Sequence, residues 1–585
     1  MSKRLIIVGG VAGGATAAAR ARRLDEQAEI IVIERGKDVS FANCGLPYHI
    51  GAEIPQRSSL RVQTRAGLMQ RFGLDIRTRH EVTAIDPAAR VVHVRDLVGE
   101  RDYTEHYDNL LLSPGAAPIR PPLPGVDHAA IFTLRDLTDM DRIKGVVDSG
   151  AKSAVVVGGG FIGLEMAENL VRRGLAVALV ELLPQVMPPL DPEIAASIHR
   201  ELRANGVALH LADAVTAFED ATGRVRVQLR SGTTLEADLV VLAVGVRPEA
   251  GLARDAGLAL TERGAIVVDE HMRTSDPHIY AVGDAVEVTD PVLGGTTLIP
   301  LAGPANRQAR VAVDNVFGRP ERYRGTQGTS VLRVFGLTVA ATGAAEKVLR
   351  QRGVPHRKVY ISGGHHVSYF PGAQRLNIKL LFSPDNGRIL GAQVFGGAGV
   401  DKRIDVLAVA VQARLTVADL AQTELAYSPQ YGAAKDPANI AGFVAGNLLR
   451  GDELFLYAED LDAAQCQAWT ILDVREPAEY EVGHLPGARL LPLGELREHW
   501  QQLPTDKPLL VCCDSGQRSY YASRFLRQKG FDVRNLAGGM FFYRLVHDPA
   551  GHDATTTRAA ASPPAGRSDR VAALPCTPGG PDSCG

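Results

Sequence analysis

The chain has 585 residues, enough for three or four domains at ordinary domain sizes. Its 45% hydrophobic and 22% charged residues are usual for a globular protein, and a formal net charge of -2 gives no general reason to expect nucleic acid or a membrane surface as partner. No apolar run approaches the roughly 18–20 residues that span a bilayer.

The first residues mimic a secretory signal, with a basic start and many alanines, but the hydrophobic piece is only Leu5–Val8 before glycines interrupt it. That run reads instead as a buried strand entering Gly9, Gly10, Val11, Ala12, Gly13 and Gly14, followed by an Ala-rich helical stretch to Leu24. A second apolar strand, Ile30–Ile33, ends in Glu34, about twenty residues past the last glycine. Strand, glycine turn, helix and terminal acid form the βαβ unit that cradles a pyrophosphate on backbone N–H groups and holds a ribose hydroxyl on the acid. Val11 stands where the middle glycine of G-x-G-x-x-G is expected.

Cys44 follows in Ser40-Phe41-Ala42-Asn43-Cys44-Gly45-Leu46-Pro47-Tyr48, and the next cysteine is Cys466. Six cysteines so distributed make no disulfide framework and suit a reducing cytoplasm and catalytic thiols. At the start of a helix the Cys44 thiol is expected to be a stabilised, nucleophilic thiolate. Arg20, Arg22 and Arg23 on the first helix, with Arg61 and Arg71 beyond, offer either a solvated basic face or a grip for phosphates; Arg20 and Arg23 share a face.

The βαβ pattern then recurs. Ala154–Val157 enters Gly158, Gly159, Gly160, Phe161, Ile162 and Gly163, with all three motif glycines present, and the next strand, Ala176–Val180, ends in Glu181. An acid there accepts a bond from a free ribose 2′-OH and repels a 2′-phosphate, which favours NADH. Arg247 could accept the phosphate, so NADPH stays open.

After Gly451 a third pattern begins. A strand Ile471–Val474 leads to Arg475, then Gly483-His484-Leu485-Pro486-Gly487-Ala488; a strand Leu509–Cys512 opens into Cys513-Asp514-Ser515-Gly516-Gln517-Arg518-Ser519. A short loop wrapping a thiolate with inward N–H groups and a terminal arginine is an anion nest able to hold a persulfide. By strand register Cys513 is the nucleophile and Cys512 a packing residue. Beyond His547 the chain is Ala, Pro, Thr, Gly and Ser without periodicity and is expected to be disordered, carrying Cys576 and Cys584 as either an incidental pair or a mobile redox pair.

Asn109–Pro118 and the long run Thr274-Ser275-Asp276-Pro277-His278-Ile279-Tyr280-Ala281-Val282-Gly283-Asp284-Ala285 resemble the crossover and flavin-ribityl motifs of the pyridine nucleotide–disulfide oxidoreductases. The resemblance implies FAD at the first glycine loop, with Gly115, Asp284 and Ala302 joining Glu34. It places NADH or NADPH at the second, with Gly245 joining Glu181. The Cys44 segment resembles the single-cysteine branch: coenzyme A-disulfide reductases, NADH oxidases and NADH peroxidases. Ala12 replaces the histidine that the peroxide- and oxygen-reducing members carry there.

Tyr369, in His366–Gly372, and Tyr427, in Leu425–Pro429, resemble the coenzyme A enzymes' two interface tyrosines and keep their spacing of 58 residues (427 minus 369). Phe370 and Gln430 depart from the common pattern. Arg23, Ser40 and Asn43 match positions those enzymes use, and Arg20 one that varies among them. The C-terminal segments resemble a rhodanese domain.

The fold expected is α/β: an FAD-binding domain at 1–113 and 246–324 and an NAD(P)H-binding domain at 114–245, both Rossmann-like. An α+β dimerisation domain at 325–448, an α/β rhodanese domain at 449–548 and a disordered tail at 549–585 complete it. The function the resemblance implies is NADH-dependent reduction of sulfane sulfur and coenzyme A disulfide through one cysteine, in a cytoplasmic homodimer. Cys44, Tyr369, Tyr427, Cys513 and Arg518 would be catalytic, and Arg20, Arg23, Ser40, Asn43, Arg61 and Arg71 would meet coenzyme A. No metal site is expected. A plain coenzyme A-disulfide reductase, an NADH oxidase and a non-enzymatic redox-sensing or sulfur-carrier protein remain as alternatives.

Overall fold

Two parallel five-stranded sheets in the computed structural model are built alike, because the same strand–glycine–helix–strand pattern occurs twice in the chain. The structure describes residues 2–461 and 463–548; the expected tail with Cys576 and Cys584 lies outside them. The first sheet runs Ile279–Ala281, Asn109–Leu112, Arg4–Val8, Glu29–Glu34, Asp75–Thr78, every neighbour parallel. Leu5, Ile6 and Ile7 are all buried, as a strand covered on both faces requires. The helix Ala12–Leu24 presents Ala17, Ala18 and Ala21 to the same core as Ala309, Ala312 and Val313 of the helix Ala302–Val316, and such small residues let two backbones come close.

The second sheet, Ala208–Leu211, Ala176–Glu181, Ser153–Val157, Leu239–Leu242, Ile131–Phe132, is again wholly parallel. Its strand Ser153–Val157 occupies the place that Arg4–Val8 has in the first. The chain crosses from one sheet to the other twice, at Ala116–Pro118 and back at Val246–Pro248, and the two crossings pair antiparallel as a ribbon. Gly115 and Gly245, with φ of 72° and 111°, make the turns into it, a backbone region that favours glycine.

An antiparallel sheet follows, in the order Ser330–Val334, Leu337–Gly343, Ile389–Gly396, Arg375–Phe382, Arg357–Gly364. The helices Val400–Gln412 and Pro437–Leu449 share its core. The last sheet, Phe455–Leu456, Val533–Leu536, Leu509–Cys512, Thr470–Asp473, Arg489–Leu490, is parallel. No helix among the described residues is long and apolar enough to cross a membrane.

A buried ion cluster ties three of these sheets together. Lys379, on the antiparallel sheet, is fully buried, with Nζ 2.8 Å from Asp191, 2.5 Å from Glu193 and 2.6 Å from Glu346. Asp191 and Glu193 open the helix Pro192–Ala204 that packs on the second sheet. Lys358 extends the cluster to Glu346, at 2.9 Å, and to Glu459, just after the first strand of the last sheet. Three clustered carboxylates could ligate a metal, but here the ammonium of Lys379 lies among them. Phe542, on the last helix, stacks on Tyr360 with centroids 4.2 Å apart, and Arg200 donates to the Arg544 carbonyl at 2.6 Å.

Replacing Lys379 with Met should therefore leave three buried carboxylates short of their main cation and cost about 3–5 kcal/mol of stability, read by urea unfolding of the full chain. Burial opposes its charged form, yet Lys379 and Lys358 hold the Glu346 carboxyl down to about 2. A depressed carboxyl stabilises above its unfolded value, so the wild-type advantage should be full near neutral pH and drain as acidification approaches 2. An equally stable Met variant would contradict this account.

Candidate functional site

Both glycine loops are shaped by contacts that only glycine permits. A Cβ on Gly9 would lie 2.2 Å from the Ser113 carbonyl and one on Gly14 1.7 Å from the Gly9 carbonyl; Gly13 faces the Ser113 hydroxyl. In the second copy a Cβ on Gly158 would meet the Ala243 carbonyl at 2.3 Å and one on Gly163 the Gly158 carbonyl at 1.9 Å. Gly160 has open space where a Cβ would go, and its φ of -80° is one any residue adopts. Backbone geometry therefore tolerates Val11 at the matching position. Ala12 and Phe161 begin the two loop helices, with Ile162 next in the second.

The two acids act alike. Glu34 accepts from Gly10 N at 2.7 Å and Gly36 N at 2.6 Å; Glu181 accepts from Gly159 N at 2.6 Å and Leu183 N at 2.8 Å. Each oxygen keeps a second lone pair that a ribose hydroxyl can use. The acids thus brace the loop and remain acceptors. Asp284 is partly buried, burial raises its carboxyl, and the neighbouring Gly283 N is held by Gln308 at 2.8 Å. Ala302 is the first residue of the helix Ala302–Val316. This cradle fits an FAD, which Gly9–Gly14, Glu34, Gly115, Asp284 and Ala302 could hold. The second fits a pyridine nucleotide, which Gly158–Gly163, Glu181 and Gly245 could hold. Arg247 is exposed on the crossing ribbon.

Cys44 sits in the 3-10 turn Asn43–Gly45, which runs into the short helix Leu46–Ile50, and is exposed in the single chain. Its thiol is pushed up, first by desolvation, then by the charges of Glu165 and Asp284. The expected stabilised thiolate is thus not supplied by the chain's own groups. A three-residue turn and a five-residue helix give little dipole, and two carboxylates oppose what there is.

Asp284, from the first cradle, is near enough for its charge to act on the Cys44 thiol. Glu165 was not apparent as a site residue in the sequence. It lies on the second loop's helix, Phe161–Arg172, accepts from the Tyr48 hydroxyl at 3.1 Å, and is raised by burial to about 7. Arg333 packs over the Tyr48 ring, 5.6 Å from its centroid, and pairs with Glu53 and, at 3.2 Å, Glu168.

Tyr369 and Tyr427 meet, hydroxyl to hydroxyl at 3.0 Å, and both are exposed. The basic residues separate into two groups. Arg20 is committed to Asp314 at 2.6 Å, Arg22 to the Phe72 carbonyl at 2.7 Å, and Arg61 to Asp38 at 3.0 Å, whereas Arg23 and Arg71 are exposed. Ser40 is half-buried with a φ of 47°, and Asn43 is exposed beside Cys44.

At the C-terminal loop, Cys513 Sγ accepts from Gly516 N at 3.1 Å and from the Ser519 hydroxyl at 3.2 Å. Arg518 forms a two-pronged pair with Glu479, at 2.7 and 2.6 Å, that holds the Glu479 carboxyl down to about 2. Cys512 ends its strand fully buried, and burial with the Asp473 charge pushes its thiol far up, as suits a packing residue.

The family model for the pyridine nucleotide-disulphide oxidoreductases matches residues 3–312, that family's dimerisation domain matches 330–437, and a rhodanese-like domain matches 457–544. A coenzyme A disulfide reductase of Staphylococcus haemolyticus is 34% identical over 448 residues, covering 76% of this chain and all of that protein. The reduced Bacillus anthracis CoADR-RHD superposes with a TM-score of 0.91 at 47% identity, covering 93% of this chain and 98% of that one. A NAD-dependent persulfide reductase from A. fulgidus superposes at 0.87 with 36% identity, covering 92% and 99%. With two dinucleotide cradles, a thiol beside the first and these matches, the chain belongs to the pyridine nucleotide-disulphide oxidoreductases, enzymes that use FAD and NAD(P)H, and carries a rhodanese-like domain behind the dimerisation domain.

Proposed function

We propose that this chain is an NADH-dependent reductase of coenzyme A persulfide, polysulfide and coenzyme A disulfide, with Cys44 as its one redox thiol and Cys513 as a sulfur carrier. The observation that carries this reading is the pairing of two differently built thiols. Cys44, within reach of the Asp284 charge, has no cysteine next to it, and Cys513 Sγ accepts from the Gly516 N–H and the Ser519 hydroxyl in the same chain. The relatives named as acting on coenzyme A disulfide and on persulfide support the substrate class. The division of the chain into residues 1–113 with 246–324, 114–245, 325–448 and 449–548 is part of the proposal.

Bound FAD supplies the two-electron relay from nicotinamide to sulfur. The Cys44 thiolate attacks the coenzyme A-bearing sulfur of its substrate, so that a Cys44–coenzyme A disulfide forms as the old sulfur–sulfur bond breaks. The leaving group is coenzyme A thiolate from the disulfide, or hydrosulfide from the persulfide. Two electrons then cleave the mixed disulfide, returning Cys44 thiolate and free coenzyme A. Tyr369 and Tyr427, hydrogen-bonded to each other on an exposed face, are suited to protonate or steady a leaving thiolate at the partner subunit's Cys44 in a homodimer. Arg23, Ser40, Asn43 and Arg71 are the accessible groups for coenzyme A, while Arg20 and Arg61 would have to exchange their carboxylate partners to join them. Cytoplasmic location fits free, catalytic thiols.

Changing Cys44 to Ser should lower NADH consumption with every sulfur substrate by about a thousandfold or more. Changing Cys513 to Ser should spare coenzyme A disulfide reduction and lower polysulfide turnover. Equal turnover by the Cys44 variant sinks the reading. Unchanged polysulfide and persulfide turnover in the Cys513 variant removes the carrier role.

Glu165 raises the Cys44 thiol, so Glu165→Gln should lower it. Iodoacetamide should then react faster at neutral pH, roughly threefold, with the whole rate profile moved toward acid. An unmoved profile would contradict the electrostatic link. Glu181→Gln should cut kcat/KM for NADH by about tenfold and narrow its advantage over NADPH, because one charged hydrogen-bond acceptor is lost.

A further inference from the structure

Asp514, the residue after Cys513, faces a charge that belongs to another sheet. Arg375, first residue of the strand Arg375–Phe382 in the antiparallel sheet, pairs with the Asp514 carboxylate. The guanidinium lies over the Phe541 ring, 4.6 Å from its centroid, and Phe541 stacks on Phe395 of the same sheet with centroids 6.2 Å apart. The backbone completes the clamp: Met540 N donates to the Cys513 carbonyl at 2.8 Å and Phe541 N to the Asp514 carbonyl at 3.0 Å. Beside the pair a cleft of about 370 Å³ opens between the loop and the sheet, lined by Gly363, Gly364, Gln374, Arg375, Ser515 and Gln517.

Resting on the sulfur-carrier reading of Cys513, we propose that Arg375 and Asp514 together set which donors reach this thiol, with Arg375 a specificity residue lent by the reductase portion. While the pair is closed Arg375 is matched by Asp514, as Arg518 is by Glu479, so neither arginine is left as a surplus cation. A monoanionic persulfide then needs only the N–H groups of the nest. A dianion such as thiosulfate finds no surplus cation. Cys513 thiolate attacks the terminal sulfane sulfur, the Sγ–S bond forms, and the donor's sulfur–sulfur bond breaks with its electron pair leaving on a thiol or on sulfite. An acceptor such as cyanide then attacks the outer sulfur of the Cys513 persulfide and leaves as thiocyanate, restoring the thiolate.

The pair makes predictions of opposite sign. Asp514→Asn uncovers the Arg375 charge and should raise kcat/KM for thiosulfate on the order of tenfold, more than for glutathione persulfide. Arg375→Gln uncovers the Asp514 carboxylate and should lower thiosulfate use by a similar factor, and the double variant should return toward the parent. The full-length holoenzyme is assayed by thiocyanate formation from each donor, with Cys513→Ser alongside. Should Arg375→Gln fail to fold, the rise in Asp514→Asn alone still decides. If Cys513→Ser abolishes transfer while the charge variants move both donors equally or not at all, the proposal is overturned. If Cys513→Ser transfers sulfur normally, the carrier reading falls first.

Discussion

Thiol–disulfide exchange needs two sulfurs, and among the described residues Cys44 has no second cysteine next to it. It stands on a three-residue turn, so its redox partner has to come from a distant segment or from another molecule. The local electrostatics follow the same logic. Desolvation, Glu165 and Asp284 push the thiol up. Tyr48, Glu165, Arg333 and Glu168 join the Cys44 helix, the nucleotide helix and the antiparallel sheet in one polar network. A change at the nicotinamide side therefore has a short route to the thiol.

The rhodanese-like portion is not a bead on a string. The Lys379 cluster, the Tyr360–Phe542 stack and the Arg375–Asp514 pair fix it against the reductase portion at separate points. Buried ion pairs of this kind add little net stability over an apolar core, but breaking one is costly, which favours a single docking geometry. The Cys513 loop and the reductase portion thus meet directly, the loop facing the same sheet that carries the hairpin with Tyr369.

Much of this was legible in the sequence where backbone geometry dictates residue type. Gly9, Gly14, Gly158 and Gly163 are forced by close approach to carbonyls, and Glu34 and Glu181 sit at strand ends that periodicity locates. The nest around Cys513 was legible for the same reason. What the sequence hid is pairing between distant segments. Glu165 comes to Tyr48 across 117 positions, Arg20 is claimed by Asp314 across 294, and Arg375 reaches Asp514 across 139. The carboxylates that oppose a Cys44 thiolate were hidden on that ground, since they are supplied from elsewhere in the chain. The first-helix arginines looked alike in sequence, and only the fold separates Arg23, exposed, from Arg20, already bound.

The most direct test follows the sulfur on Cys44 itself. Peptide mass spectrometry of the holoenzyme after anaerobic exposure to coenzyme A disulfide should find coenzyme A on Cys44, and a stoichiometric pulse of NADH should remove it. NADH oxidation with coenzyme A disulfide while Cys44 stays unmodified throughout, or while an adduct on Cys44 persists through turnover, would contradict the exchange chemistry on which the account stands.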